Sequence, residues 1–297
     1  MCYTTIMTNV HGNNISLIGY DFSKRVPADE IKNWIEALKK DYHGGIVRGM
    51  PEDAANAFFV TDRIERCAEA EKSGVAYLLY LHDGNREGSF ADIPYAVTGL
   101  EGVDLFYMDK VYCRFLNLPW VILETKRCIL RELTEDDLDE LYEIYRDPSV
   151  TLYTEGLYED REAERAYIRD YTQQVYRFCG YGIWAVVQKE SGRLIGRAGL
   201  ACREGFDTPE LGYVIGTPYQ RQGYATEVCR AIVEYAAREL GFTTLRVLFR
   251  EENKASLGLC RKLGFREDRE LETDGVKMQQ YIYTVAQGRD GRETIEK

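Results

Sequence analysis

The segment from Glu210 to Leu240 does most to limit what this chain can become. Glu210-Leu211-Gly212-Tyr213-Val214-Ile215 has the composition of a strand. Downstream, Val228, Ile232, Val233, Ala236 and Leu240 recur at the three- and four-residue spacings of an amphipathic helix. Between them stands Tyr219-Gln220-Arg221-Gln222-Gly223-Tyr224-Ala225-Thr226-Glu227. A strand, a short polar loop and a helix start, in that order, leave the first helical N–H groups without intrahelical partners at the positive end of the dipole. Such an end accepts a phosphate. Gly223, lacking a Cβ, lets an anion approach the backbone, and Arg221 adds a fork of cationic donors. Read alone, the same residues also describe a helix start that binds nothing, because short motifs recur by chance.

The 297 residues suit two domains at roughly 150 residues each, and a 45% hydrophobic fraction supports sizeable cores. No apolar run approaches the ~18 residues of a membrane span. The start, Met1-Cys2-Tyr3-Thr4-Thr5, lacks a basic region followed by an apolar stretch, so a cytoplasmic protein with no membrane partner is expected. A net charge of −11 argues against direct nucleic-acid binding; it suits amine-bearing substrates by steering, or serves solubility. Eight cysteines include no C-x-x-C pair, and there are only three histidines. No metal is expected, and the thiols read as reduced and mostly buried.

Residues 1–118 alternate strands and helices, implying a small parallel α/β domain. Strands are expected at 15–20, 57–61, 75–81 and 95–98, and helices at 27–40, 63–72 and 103–116, the helix at 63–72 capped by Asp62. Phe59-Val60-Thr61-Asp62, the next helix, Gly74 to Leu78 and Ala91 to Val97 together resemble the closing half of a haloacid-dehalogenase-type domain. The resemblance implies a magnesium-holding role for Asp62. However, the family's D-x-D-x-T nucleophile motif is absent: Asp21 is followed by Ser23 where the second aspartate belongs. A folded but catalytically silent module is therefore expected.

Residues 119–287 form the second domain, after a break at Pro119, and 288–297 a polar tail. Thr134-Glu135-Asp136-Asp137 starts a helix carrying Leu138, Leu141, Tyr142 and Tyr145. A second helix is expected over 161–178, a hairpin over 182–200, then the strand, loop and helix described above. A strand at 244–249, a helix from Asn253 to the Gly264 stop, and a last strand at 276–285 follow.

Leu130-Arg131-Glu132-Leu133, Glu210-Leu211-Gly212-Tyr213, Gln220-x-x-Gly223-x-Ala225, Asn253-x-x-Ser256 and Lys262-Leu263-Gly264-Phe265 occur in the order and spacing of the GNAT family of N-acetyltransferases. Within it, the chain most resembles the branch of the ribosomal-protein alanine acetyltransferases. The resemblance implies an α/β (α+β) fold: a mixed sheet flanked by helices, whose central strands, 210–215 and 244–249, splay apart. It implies acetyl-CoA as cosubstrate. Its pantetheine arm would meet the backbone of Tyr213, Val214 and Ile215. Its pyrophosphate would meet the loop of Gln220, Arg221, Gln222, Gly223, Tyr224, Ala225 and Thr226. Asn253 would contact the arm, cap the next helix, or both. The acceptor would be a primary amine on a small molecule or a protein, attacking directly in a ternary complex.

For chemistry, Glu210 is the first candidate base and Glu155 a weaker one. The position where many family members place a tyrosine acid, seven residues after Asn253, holds Cys260. Cys260, Ser256 or Tyr224 would have to substitute, unless the thiolate leaves unaided, since thiol pKa values are near 8.5. Tyr153, Tyr158, Tyr167, Tyr171, Tyr176, Tyr181 and Trp184 stand where the family builds its acceptor pocket, some as core and some as a cage for a cationic amine. A non-catalytic acyl-CoA sensor is the alternative reading. Neither the acceptor nor the oligomeric state is set by these residues.

Overall fold

A computed structural model describes residues 15–52, 56–86, 93–203, 205–273 and 275–285. The chain divides into two compact units, up to Trp120 and from Val121. The division falls two residues beyond Pro119 because Trp120 is buried against Phe106 and Lys110 of the first unit. The expected tail at 288–297, the Met1–Thr5 start and the Ala91-Asp92 pair lie outside the described residues.

The first unit is a parallel sheet of five strands: β1 (Leu17–Asp21), β2 (Gly45–Arg48), β3 (Ala57–Thr61), β4 (Ala76–Tyr80) and β5 (Ala96–Val97), in the order β2-β1-β3-β4-β5. Every residue of β3 and β4 is buried, as a parallel sheet covered on both faces requires. Phe58, Val60 and Leu78 meet Trp34 and Leu38 of α1 (Ala28–Asp41) and Met108 and Val111 of α3 (Leu105–Phe115). The alternate residues Phe59, Tyr77 and Leu79 meet Cys67 and Ala70 of α2 (Ile64–Lys72).

Asp62 does not cap α2. The cap is Arg63, without a side-chain bond, and its amide donates to Thr61 Oγ1 instead. The Asp62 carboxylate turns across the ends of β1 and β4: Oδ1 accepts from the Ser23 amide at 2.9 Å, and Oδ2 lies 3.0 Å from His82 Nε2. Two short loops anchored on one carboxylate satisfy it better than the helix end would, and no local spacing reveals that.

Asp109 is buried in α3, and burial pushes its carboxyl up to about 6. A raised carboxyl means that the folded state holds the proton more tightly. The contribution is therefore fullest below the unfolded value near 4 and is lost as pH rises through about 6. Asp109→Asn is expected to stabilise the protein at pH 8 by up to about 2 kcal/mol after solvent screening, and not at pH 4. Urea midpoints at the two pH values test this; equal shifts would contradict it.

The second unit is a mixed sheet of eight strands. Its strands are β6 (Val121–Glu124), β7 (Cys128–Arg131), β8 (Ile183–Gln188), β9 (Leu194–Ala201), β10 (Glu210–Ile215), β11 (Thr244–Phe249), β12 (Arg266–Thr273) and β13 (Val276–Thr284), in the order β12-β13-β11-β10-β9-β8-β7-β6. Helices α4 (Leu138–Tyr145), α5 (Pro148–Thr151) and α6 (Arg161–Asp170) cover one face through Leu138, Leu141, Ile144, Val150 and Ile168. Before α4, Thr134 and Asp137 form a reciprocal capping box, and Arg131 grips Asp137 with two bonds of 2.8 and 2.6 Å. After the α7 turn (Arg177–Cys179), α8 (Tyr224–Arg238) and α9 (Lys254–Leu263) complete the unit. The fully buried Trp184 of β8 meets Tyr235 of α8 edge-on, at 5.8 Å.

The expected helix over 161–178 is not one α-helix. Residues Tyr171–Tyr176 form a π-helical segment between α6 and α7. Five α-helical residues turn about 500°, which would leave positions 171 and 176 on different faces. The wider π turn brings their rings to 5.1 Å. Both then bond the Ile183 backbone: its amide donates to Tyr171 Oη at 2.9 Å, and its carbonyl accepts from Tyr176 Oη at 2.5 Å. A Cβ at Gly182 would stand 2.6 Å from the Tyr176 ring, so this docking needs a glycine.

Candidate functional site

The sheet opens at one place. Strand β9 pairs with β10 from Glu210↔Ala201 to Ile215↔Gly196 without a break. Strand β10 is parallel to β11, and their register consists of the single pair Glu210↔Arg246. Beyond it the strands part, and Tyr213, Val214 and Ile215 pair with β9 but not with β11. The parting leads to the polar loop.

Two glutamine side chains shape that loop. Gln220 Nε2 donates to the Ile215 carbonyl at 2.9 Å, and Gln222 Nε2 to the Pro218 carbonyl at 2.7 Å. Arg221 and Gly223 both have positive φ, 59° and 85°, the left-handed region that disfavours a Cβ. Gly223 is the N-cap of α8 and provides no side-chain cap. The first intrahelical bond runs from the Glu227 amide to the Gly223 carbonyl, so the amides of Tyr224, Ala225 and Thr226 precede the hydrogen-bonded ladder.

A second guanidinium stands beside the loop. Arg127 donates through Nη1 to the Gln222 carbonyl at 3.0 Å, pairs with Glu227 at 2.7 Å and lies over the Tyr224 ring at 4.0 Å. A Cβ at Gly223 would lie 3.5 Å from Arg127 Nη2. Arg127 comes from the turn between β6 and β7, far away in sequence, so nothing near the loop motif announces it.

The proposed catalytic residues separate. Ser256 is held by the Asn253 cap, whose Oδ1 accepts from the Ser256 amide at 3.0 Å, and its Oγ lies 3.2 Å from Tyr213 Oη. Tyr213 thus links β10 to the start of α9 through its side chain. Burial pushes the Tyr213 hydroxyl well above its ordinary value, partly offset by Ser256. Cys260, one helical turn beyond Ser256, is 2% exposed, and burial pushes its thiol up to about 12. Tyr224 is turned elsewhere: its Oη accepts from Gln188 Nε2 at 2.6 Å. Glu155 is exposed.

Glu210 begins β10 with Oε2 3.6 Å from Arg246 Nε and 3.9 Å from Arg203 Nε. Burial raises its pKa; the two guanidinium groups oppose that without cancelling it. Arg246 is fully buried and stacks 3.7 Å from the Phe206 ring centre.

Against the other side of β10 lies a cavity of about 190 Å³. Its walls are Leu133, Ile168, Ile183 and Val214, with Tyr145, Tyr167, Tyr171, Tyr213, Thr154 and Arg197. Of the aromatic set expected here, Tyr167 and Tyr171 reach the wall. Tyr158 stacks on Tyr167 at 6.0 Å, while Tyr176 and Trp184 are buried. Tyr181 turns to Phe242 and Cys202, and Tyr153 is exposed. Tyr145 and Arg197 were not singled out by spacing; only β9–β10 register and the end of α4 bring them together. Among the described residues, no group of three or more His, Cys, Asp or Glu could hold a metal ion.

A model of the acetyltransferase (GNAT) domain matches residues 127–266. The uncharacterized N-acetyltransferase YoaA of Bacillus subtilis is 31% identical over 164 residues, 54% of this chain and 88% of that protein. The uncharacterized N-acetyltransferase YnaD of the same organism is 28% identical over 147 residues, 49% of this chain and 83% of that one. Among solved structures, a GNAT-family acetyltransferase from Bacillus anthracis aligns with a TM-score of 0.47 at 21% identity, covering 55% of this chain and 97% of that chain.

Proposed function

Because the chain belongs to the GNAT acetyltransferase family and is an N-acetyltransferase, we propose that its second unit transfers the acetyl group of acetyl-CoA to a primary amine by direct attack. The observation that carries this reading is the opening between β10 and β11, ending at a helix start whose amides are uncapped. That geometry fits the cosubstrate. The amides and the Arg221 guanidinium hold the diphosphate; the edge of β10 at Tyr213, Val214 and Ile215 bonds the pantetheine arm; Asn253 shapes the start of α9. Bound there, acetyl-CoA supplies an activated acyl group.

Glu210, raised by burial, accepts the proton of the acceptor amine through water. The nitrogen forms a bond to the thioester carbonyl carbon, and the carbon–sulfur bond breaks with its electron pair passing to sulfur. Tyr213, relayed to Ser256, donates its hydroxyl proton to that sulfur. The Glu210 proton passes through solvent to the Tyr213 oxygen, restoring both groups and leaving the amide and the free thiol. Cys260 takes no part in this reading: its side chain is buried in α9, one helical turn beyond Ser256.

The test is thiol release from acetyl-CoA against a panel of amines and peptides. Release with at least one acceptor is expected; none on any acceptor would refute transferase activity. Glu210 must be ionised to act, so kcat/KM should fall as pH drops through its pKa, which burial raises above the ordinary value. Cys260→Ala is expected to leave the shape of the pH profile as it is. A displaced profile would restore the thiol as the acid.

A further inference from the structure

The cavity beside β10 contains a guanidinium with no carboxylate in direct contact among the described residues. Arg197 stands directly across from Val214, so both side chains face the same side of the sheet. Its guanidinium donates to Tyr145 Oη from Nε at 3.2 Å and also from Nη2, and it lies 4.8 Å from the Tyr145 ring centre. Other arginines of this unit meet carboxylates closely, Arg131 and Arg193 at 2.6 Å and Arg127 at 2.7 Å. Arg197 forms no ion pair among the described residues, and no aspartate or glutamate lines the cavity. Glu164, the carboxylate whose charge acts on Arg197, accepts the Tyr158 amide at 2.9 Å instead.

Tyr145 sharpens the picture. Its oxygen accepts two guanidinium bonds, so its own proton is left to donate, and no acceptor for it is present among the described residues. A phenol donor and a guanidinium therefore converge on one wall of an otherwise apolar and aromatic cavity. A guanidinium with no carboxylate in contact can take one as a ligand, and its fork of donors matches a carboxylate.

We propose that Arg197 and Tyr145 are a carboxylate seat, and that the acceptor is an amine bearing a carboxylate within one residue of the reacting nitrogen. This rests on the acetyltransferase reading and names its substrate class. The carboxylate is either the α-carboxylate of a free amino acid or the acidic side chain of a peptide's first residue. A volume of 190 Å³ equals about six water molecules, room for one small residue. Leu133, Ile168 and Val214 give the seat an apolar surround, which strengthens the charge pairing.

The test uses matched probes with acetyl-CoA: L-alanine against L-alaninamide for the first source, and the C-terminally amidated tripeptides Asp-Ala-Ala and Asn-Ala-Ala for the second. In the wild type, the carboxylate member of one pair is expected to win by about 100-fold in kcat/KM. Arg197→Gln should bring that ratio close to one, Tyr145→Phe should lower it in part, and Arg197→Lys should restore some of it. Acetyl-CoA affinity by calorimetry checks that each variant is folded. Preference for alanine identifies an amino-acid acceptor, and preference for the aspartyl peptide identifies a protein or peptide terminus. Equal rates within both pairs, or a ratio unchanged in Arg197→Gln, would overturn the seat while leaving the transferase reading intact. If no probe is acetylated, calorimetry of the four probes against wild type and Arg197→Gln decides separately: carboxylate binding lost in the variant upholds the seat, and binding indifferent to charge or to Arg197 overturns it.

Discussion

Gly223→Glu is expected to raise the acetyl-CoA dissociation constant about 100-fold or more and to lower kcat/KM in step. Three effects add. The substitution places a Cβ at φ 85°, where an L-residue costs roughly 1–2 kcal/mol. It sets a carboxylate against a diphosphate, a repulsion between ~1 and ~4 kcal/mol at this exposure. It also opposes an attraction to the helix dipole of up to about 2 kcal/mol. A net loss near 3 kcal/mol corresponds to the stated factor. Gly223→Ala separates the terms, because it carries the backbone strain alone. It should lower the melting temperature by about 2–4 °C per kcal/mol and weaken acetyl-CoA by less than about tenfold. Calorimetry on both variants makes the comparison; a glutamate variant that binds like the wild type would remove the diphosphate from this loop.

The second large effect is expected at Tyr213→Phe. The ring and its packing are kept, and only the hydroxyl facing Ser256 is lost. General acids contribute about 10²–10⁴ in rate. The leaving thiol, with a pKa near 8.5, needs less help than most, so kcat should fall about 100-fold with KM for acetyl-CoA nearly unchanged. Burial raises the Tyr213 hydroxyl above its ordinary value, and an acid works while protonated. Its contribution is therefore full through neutral pH and is lost only as pH climbs through that raised value, above about 10. Rate measurements from pH 6 to 9 should show the deficit as constant. A variant within about threefold of wild type would mean the thiolate leaves unaided.

The strand, loop and helix around Gly223 were legible because three local signals agree: the strand composition of 210–215, a glycine where the backbone turns, and a three-four apolar repeat after it. Strand β12 was not. Its sequence, Arg-Glu-Asp-Arg-Glu-Leu-Glu-Thr, is charged and largely exposed; as an edge strand, it is held by backbone pairing with β13. The π-helical segment was hidden for a related reason. Nothing in Tyr-Thr-Gln-Gln-Val-Tyr departs from an ordinary helix until the Ile183 backbone, distant in sequence, supplies bonds to both tyrosines.

On the proposed reading, residues that would act through the backbone were easier to find than those that would act through side chains. Gln220 to Thr226 follow one another in the chain, so their spacing is their geometry. Tyr145, Arg197 and Arg127 reach their positions by strand register and helix packing, which a linear pattern does not encode. Tyr213 lay between these cases: its place in the strand was clear, but the reach of its hydroxyl to Ser256 was not.

The single Glu210↔Arg246 pairing has a further consequence. On the proposed reading, the donor is held largely by main-chain groups along the edge of β10, while the acceptor is chosen by side chains projecting from α4, α6 and β9. One strand separates the two sets of instructions. Substitutions in the cavity wall can then change what is acetylated without disturbing what donates the acetyl group. Such a division lets one scaffold radiate into many specificities, each reached by altering a few side chains while the shared half of the chemistry stays written in the backbone.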